Sequence, residues 1–422
     1  ASGAAPRADD ALTYAEALDR AVRVDERLGL HEAERGSLEA RRRAEGARLR
    51  PALDLATEIL TNNTALDVQI GGPGARPRTL QDTLQGDARL EARWDFYQPA
   101  RAREQDALTR DIEASRSDLS TVEAQVRYET AGAYLDALQA AAATKVAAAD
   151  LDRANAQARL GRDRLAAGEG SALGVKQLDL AVDAAARSLA AAAANEDLAR
   201  ERLRHLLQLG RAPILPAAAD AGLPAPPAEP DPEALVATAL GARTEVGAAR
   251  GRAAASRERV VASAASRRPD AGVSGAVIAS TVEGFDGKKI DTRLQAGLRW
   301  TFFDSGERTA VIERRTEEQR AAELTLAAVG RKVETEVRQA VTGLRIAGLE
   351  ASRSATVREQ ARAALDQAEA LYGAGSATES DIAERRADLA AAEGREEAAS
   401  VARVRALVAL RFAVGASLPP AP

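Results

Sequence analysis

Arg89-Leu-Glu-Ala-Arg-Trp-Asp-Phe-Tyr97 returns in the second half of the chain as Arg293-Leu-Gln-Ala-Gly-Leu-Arg-Trp-Thr-Phe-Phe303, with Trp94 answered by Trp300. In the first copy Leu90, Ala92, Trp94 and Phe96 alternate with Arg89, Glu91, Arg93 and Asp95. In the second, Leu294, Ala296, Leu298, Trp300 and Phe302 alternate with Arg293, Gln295, Arg299 and Thr301. A period of two is the pattern of a strand with one greasy and one wet side. Each copy has a partner upstream. Leu53, Leu55, Thr57, Ile59 and Thr61 alternate with Asp54, Glu58 and Asn62, and Ala271, Val273, Val277 and Ala279 alternate with Gly272, Ser274 and Ser280, although Ile278 falls on the second set. Between partners lie the loops Gly71-Gly-Pro-Gly-Ala-Arg-Pro77 and Glu283-Gly-Phe-Asp-Gly-Lys-Lys289, both rich in turn residues.

Working outward, each strand pair is preceded by an Arg-Pro that ends a helical pattern, Arg50-Pro51 and Arg268-Pro269. The first such pattern runs from about Leu12 to Arg50, with Ala15, Leu18, Ala21, Val22 and Leu28 at helical spacing. Each pair is followed by an uninterrupted helical stretch, Ala100 to Ala167 and Arg308 to Ala374, of about 100 Å at 1.5 Å per residue. Glycine-rich breaks follow, Gly168-Glu-Gly-Ser-Ala172 and Gly375-Ser-Ala-Thr378, and then a further helix. The chain therefore reads as one unit used twice: 1–212 (strand pair about 51–99, turn near 168–174) and 233–422 (strand pair about 269–303, turn near 373–378). A Pro-rich linker, 213–232, joins them; it holds seven of the sixteen prolines. An enzyme seldom needs such duplication, whereas a ring or tube does.

Aromatic residues are 3% of the chain, charged residues 29%, and alanine dominates the apolar fraction. Few large side chains exclude a thick globular core, and alanine suits long helices packed closely along their length. With no cysteine, disulfides, thiolate metal sites and thiol chemistry are excluded. His31 and His205 are the only histidines and lie far apart in sequence, and no phosphate-binding glycine loop follows a strand. Neither an enzyme, nor a metal site, nor a cofactor is expected. A net charge of −5 argues against a nucleic-acid partner. The opening Ala-Ser-Gly-Ala-Ala-Pro6 fits the mature end left by a removed export signal. No apolar run is long enough for a membrane-spanning helix, so any membrane role falls to strands.

A two-stranded hairpin with a greasy face does not survive alone in water. Either the hairpins pack on a core, which this chain lacks, or they join others in a barrel. Four strands cannot close a membrane barrel, whose smallest examples have about eight, and open edges are not tolerated in lipid. Oligomerisation is the consequence. Trp94, Phe96, Tyr97, Trp300, Phe302 and Phe303 cluster where strand meets helix, as an interfacial aromatic girdle requires. Trp94 and Trp300 also suit a simple plug between helix and sheet. The competing reading of the whole is a soluble periplasmic coiled-coil scaffold with small sheet inserts.

The duplicated plan, Leu12-Thr-Tyr-Ala-Glu-Ala-Leu18, Trp300-Thr-Phe-Phe-Asp-Ser-Gly306 and Leu371-Tyr-Gly-Ala-Gly-Ser-Ala-Thr-Glu-Ser-Asp-Ile382 resemble the TolC-type outer-membrane channel family over essentially the whole chain. The resemblance implies a mainly α fold with a small β part. Tandem long-helix hairpins would form an α-helical barrel, and four strands per protomer would enter a trimeric twelve-stranded β-barrel in the outer membrane of a Gram-negative bacterium, the protein extending into the periplasm. It implies a homotrimer bounded by outer-membrane lipid, acting as a passive exit duct that docks a periplasmic adaptor and an inner-membrane transporter. Drugs, metal ions or secreted protein are all open as cargo. By the same resemblance Leu165, Gly168, Gly170, Gly375 and Ser376 form the adaptor-docking tip, although Ala167 and Ala374 stand where the family carries a bulky apolar residue. Asp381 and Glu384, three residues apart and so on one helix face, match the acidic entrance gate, and Tyr372 matches an aromatic that holds it closed. Gly174 replaces the aspartate expected in the first half, and Ala377 stands where an arginine can occur. On the residues alone, both carboxylates read as solvated charges on a helix face; the gate rests on the resemblance.

Overall fold

The computed structural model describes residues 12–69, 77–210, 231–283, 288–374 and 376–418. In chain order the elements are α1 (Tyr14–Val24), α2 (Glu26–Ala47), β1 (Ala52–Thr61), β2 (Leu66–Val68), β3 (Arg78–Gln81), β4 (Leu84–Tyr97), α3 (Pro99–Ala166), α4 (Ala172–Leu206), α5 (Pro232–Ala242), α6 (Thr244–Ala265), β5 (Asp270–Ser280), β6 (Ile290–Arg299), α7 (Glu307–Gly373) and α8 (Glu379–Val414). The long helices fall within one residue of the expected bounds. The proline-rich linker lies almost wholly outside the described residues.

The expected helix 12–50 is not continuous. It breaks at Asp25, and its counterpart breaks at Arg243; both residues adopt extended backbone (φ −73°, ψ 120° and φ −66°, ψ 121°). One extended residue turns the chain but leaves the apolar spacing on either side intact, which is why the pattern hides it. Asp25 accepts from the Arg27 amide at 2.9 Å, satisfying a free donor at the start of α2. Arg27 then bridges Asp25 and Glu129 of α3. At the second break Arg243 bridges Glu245 and Glu336 of α7 and donates to the Phe412 and Ala413 carbonyls. The two breaks are built alike, an arginine between two carboxylates, with the acidic and basic positions exchanged. Arg27 is exposed and Arg243 is buried, its guanidinium 4.8 Å above the Phe412 ring.

The described chain forms two compact units, each drawn from both halves. The first comprises residues 1–32, 117–247 and 328–422. Its core gathers Tyr14, Leu18, Val126, Tyr134, Leu135, Leu203, Leu207, Val401, Val408 and Leu418. The Tyr14 and Tyr134 rings meet edge-on at 5.6 Å, and the Tyr134 hydroxyl donates to the Leu12 carbonyl at 3.0 Å, tying the start of the chain to α3. Much of the remaining buried surface is alanine, as the composition requires.

The second unit comprises residues 33–116 and 248–327. It holds one antiparallel sheet in the order β1-β4-β5-β6. Both expected strand pairs are present and the two halves join edge to edge through β4 and β5. A small hairpin, β2 with β3, flanks the expected loop Gly71–Pro77 on both sides, and the sequence does not mark it as strand; residues 70–76 lie outside the described residues. The last four residues of the second expected strand pair, 300–303, also fall elsewhere. β6 ends at Arg299, so Trp300, Phe302 and Phe303 lie on the connection to α7, where Ser305 (φ 51°) and Gly306 (φ 93°) turn the chain.

Candidate functional site

The sheet has two faces of opposite chemistry, and the register fixes them. Leu90 stands in a row with Leu55, Val277 and Thr292, and Ala92 with Leu53, Gly275 and Leu294. The alternate rows place Glu91 with Asp54, Ala276 and Arg293, and Arg93 with Ala52, Ser274 and Gln295. On the charged face Arg89 pairs with Glu91, Arg93 with Asp95 and Arg293 with Asp291, each two residues along its own strand. Among the described residues nothing covers the apolar face: Leu53 is 70% exposed, Leu55 72%, Ile59 77% and Leu294 83%. A row of bare leucines backed by charge suits lipid on one side and water on the other.

Trp94 and Trp300 make the same contact twice. The Trp94 indole donates to the Leu49 carbonyl at 3.0 Å and the Trp300 indole to the Arg267 carbonyl at 3.1 Å. Each nitrogen thus satisfies a carbonyl left free where a helix ends before the first strand of its half. Their rings remain about half exposed, as do Phe96 and Tyr97, while Phe302 and Phe303 are largely bare. Trp94 and Phe96 meet at 5.7 Å. Plug and interface are compatible, since the nitrogen is spent inward and the ring faces out.

At the other end of the long helices, Gly168 closes α3 in the left-handed region (φ +82°), where a side chain is strained. The Glu169 amide returns to the Arg164 carbonyl at 2.9 Å, and a Cβ on Gly170 would press to 3.0 Å on the Leu165 backbone nitrogen. Both glycines therefore have a local reason to be there. Leu165 is exposed. In the second hairpin the Ser376 amide closes the turn onto the Leu371 carbonyl at 2.8 Å, Tyr372 is half exposed, and Gly375 lies outside the described residues.

The two helix starts beyond these turns differ. Thr378 caps α8 in a reciprocal box: its hydroxyl accepts from the Asp381 amide, and the Asp381 carboxylate accepts from the Thr378 amide at 2.8 Å and its hydroxyl at 2.7 Å. Those bonds, the backbone one foremost, hold the Asp381 carboxyl below its usual range. The Thr-x-x-Asp spacing is a capping signature in the sequence itself. Ser171 caps α4 by accepting from Gly174, which has no carboxylate to return. Glu384 receives the Gln157 amide of α3 at 3.5 Å, one turn from an ion pair between Arg153 and Asp388. Near each turn one ion pair spans 17 residues across the hairpin, Arg162 with Asp179 and Glu369 with Arg386, the signs again exchanged.

Among the described residues no cluster of three metal-binding side chains occurs, and no helix is long and apolar enough to cross a membrane.

Residues 235–416 match the family model of the outer membrane efflux proteins. No curated protein matches the sequence. Among solved structures, the chain is similar to CusC, a channel-forming protein (15% identity, 96% of this chain and 92% of that one, TM-score 0.76). It is similar also to the outer membrane protein VceC of Vibrio cholerae (18%, 96% and 97%, 0.75) and to the open-state MtrE outer membrane channel of Neisseria gonorrhoeae (16%, 97% and 90%, 0.75). At such identities the shared property is the fold, and it extends over nearly the full length of each chain.

Proposed function

We propose that three copies of this chain, whose residues 235–416 match the model of the outer membrane efflux proteins and whose fold is that of outer-membrane channels, join their sheets into one barrel and form the exit duct of an export system. The family is one of outer-membrane channels, not of enzymes, and its members reside where this sheet has a use. The observation that carries the proposal is the open sheet. Among the described residues β1 and β6 have no neighbour on their outer edges, and one face is leucine-rich and bare. In lipid every strand edge must be paired, so the sheet must close with others. Four strands are too few, while two further copies give twelve, an even and fully antiparallel set. β1 and β6 run antiparallel to one another within the sheet, so copies related by rotation pair β6 with the next β1 without reversing the alternation.

In this assembly the charged face lines the water-filled pore, and Trp94, Phe96, Tyr97, Trp300, Phe302 and Phe303 form the girdle at the lipid boundary. The hairpin turns at Leu165, Gly168, Gly170, Gly375 and Ser376 dock a periplasmic adaptor, which links the duct to an inner-membrane transporter. Asp381 and Glu384, repeated by threefold symmetry, ring the entrance, with Tyr372 beside them. Carboxylate rings favour cations over anions. The cargo is chosen upstream, as small molecules, drugs, metal ions or secreted protein, and the duct conducts passively.

Reconstitution tests this. The purified protein requires detergent for extraction and produces discrete conductance steps in planar lipid bilayers. Release into detergent-free buffer, with no conductance, returns the coiled-coil scaffold.

A further inference from the structure

The repeat is regular enough to map one half onto the other residue by residue. α1 and α2 (14–24 and 26–47) recur as α5 and α6 (232–242 and 244–265) at a constant spacing of 218 residues. α3 and α4 recur as α7 and α8 at a spacing of 207, which carries the Ser171 cap onto Thr378 and the Arg162–Asp179 pair onto Glu369–Arg386. A packing contact made in one half therefore has a defined counterpart in the other.

α6 has two long helices as neighbours. Towards α7, Arg257 pairs with Glu323. Towards α3 the approach is close. A Cβ on Gly251 would stand 3.0 Å from the Ala114 Cβ, one on Gly247 would stand 3.5 Å from the Ser117 hydroxyl, and Arg259 pairs with Asp111. These two helices run antiparallel, since 251 meets 114 and 247 meets 117. α2, the counterpart of α6, has the first kind of neighbour: Arg42 donates to Thr109 of α3 at 3.4 Å, and a Cβ on Gly46 would meet Gln105 of α3. By the repeat its second neighbour is an α7, yet within one chain both faces of that contact lie bare. Leu30 is 59% exposed where its counterpart Ala248 is 1%, and Ala44 is exposed where Ala262 is buried. On α7, Arg314 and Ala321 are exposed where Ala107 and Ala114 of α3 are buried.

We propose that the occupant of both faces is a second copy of this chain: α2 packs on α7 of the next copy as α6 packs on α3 within one. The spacings set Ala33 against Ala321 (from Gly251 and Ala114) and, seven residues along each antiparallel helix, Ala40 against Arg314. Charge agrees, because the Arg259–Asp111 pair becomes Arg41 with Glu318. Continuity agrees as well. α2 leads into β1 and β6 leads into α7, so copies that join β6 to β1 bring these two helices together. The seam rests on the ring of copies proposed above and adds its helical register.

Cysteine trapping between copies tests it. Two differently tagged full-length chains, one with a cysteine on α2 and the other with one on α7, are co-produced in the membrane and mildly oxidised, so a product bearing both tags reports a contact between copies. Ala33→Cys with Ala321→Cys, and Ala40→Cys with Arg314→Cys, are expected to give that product. The crossed combinations, Ala33→Cys with Arg314→Cys and Ala40→Cys with Ala321→Cys, lie about 10 Å out of register at 1.5 Å per residue and are expected to give severalfold less. Absence of the product from both registered combinations overturns the proposal, as do equal yields from all four. A protein that conducts in bilayers without these products sinks the seam alone. Products without conductance uphold the seam and sink the duct.

Discussion

Asp381 shows how one residue can carry two duties. Its carboxylate closes the cap of α8 by bonds to Thr378, and in the proposed trimer it also contributes charge to the entrance. Alanine substitution removes both at once. Asp381→Asn keeps an acceptor oxygen for Thr378 and removes only the charge, so Asp381→Asn with Glu384→Gln isolates the electrostatic part. Reversal potentials in a salt gradient are expected to shift towards equal cation and anion permeation in this double variant, and unchanged cation preference contradicts the ring. Asp381→Ala alone is expected to speed amide exchange in the first turn of α8, where Asp381→Asn does so less. The Asp381 carboxyl is held below its ordinary value of 3.8, so its contribution to the cap is present above that pH and disappears as pH falls through the lower folded value. The role at the gate came from resemblance; the cap was legible in Thr-x-x-Asp and is the part that local chemistry alone explains.

Among the elements, the long helices and paired strands were legible because a sustained period leaves an unambiguous trace. The helix breaks at Asp25 and Arg243 were not, because a single extended residue costs the pattern nothing. Burial distinguishes their strength. Arg243 is held by two carboxylates and two carbonyls at 6% side-chain exposure, and removing one partner of such a buried pair costs about 3–5 kcal/mol. Arg27, 43% exposed, makes the kind of pair worth about 1 kcal/mol or less. Thermal or denaturant unfolding should therefore show a large loss for Arg243→Met and a small one for Arg27→Met; equal losses contradict the reading. Hydrogen bonds from Arg27 lower both Asp25 and Glu129 from their ordinary 3.8 and 4.5. Their contribution is complete above those values and is lost as pH drops below about 4, through the folded-state values. Arg27→Met is expected to flatten stability against pH in that acidic window, its small loss present at neutral pH and vanishing once both carboxyls are protonated. The short β2–β3 hairpin escaped the sequence because three and four residues are too few to establish a period.

For the whole molecule, the duplication seen in Trp94 and Trp300 extends to physical detail. Both indoles end a helix by donating to its free carbonyl, both helix breaks centre on an arginine, and both turns carry an ion pair spanning 17 residues. Between the halves, signs are exchanged at the breaks and turns. What no single chain's sequence can display is the partner across an open strand edge. The chain has no cysteine, so introduced pairs can be read without background. Leu53→Cys, Leu55→Cys or Thr57→Cys on β1, each combined with Leu294→Cys on β6, should give under mild oxidation of the membrane-embedded protein a ladder ending at a closed trimer, strongest for the one combination that is in register. Monomer alone from every combination, or a ladder that ends at dimer or continues beyond three, contradicts the barrel.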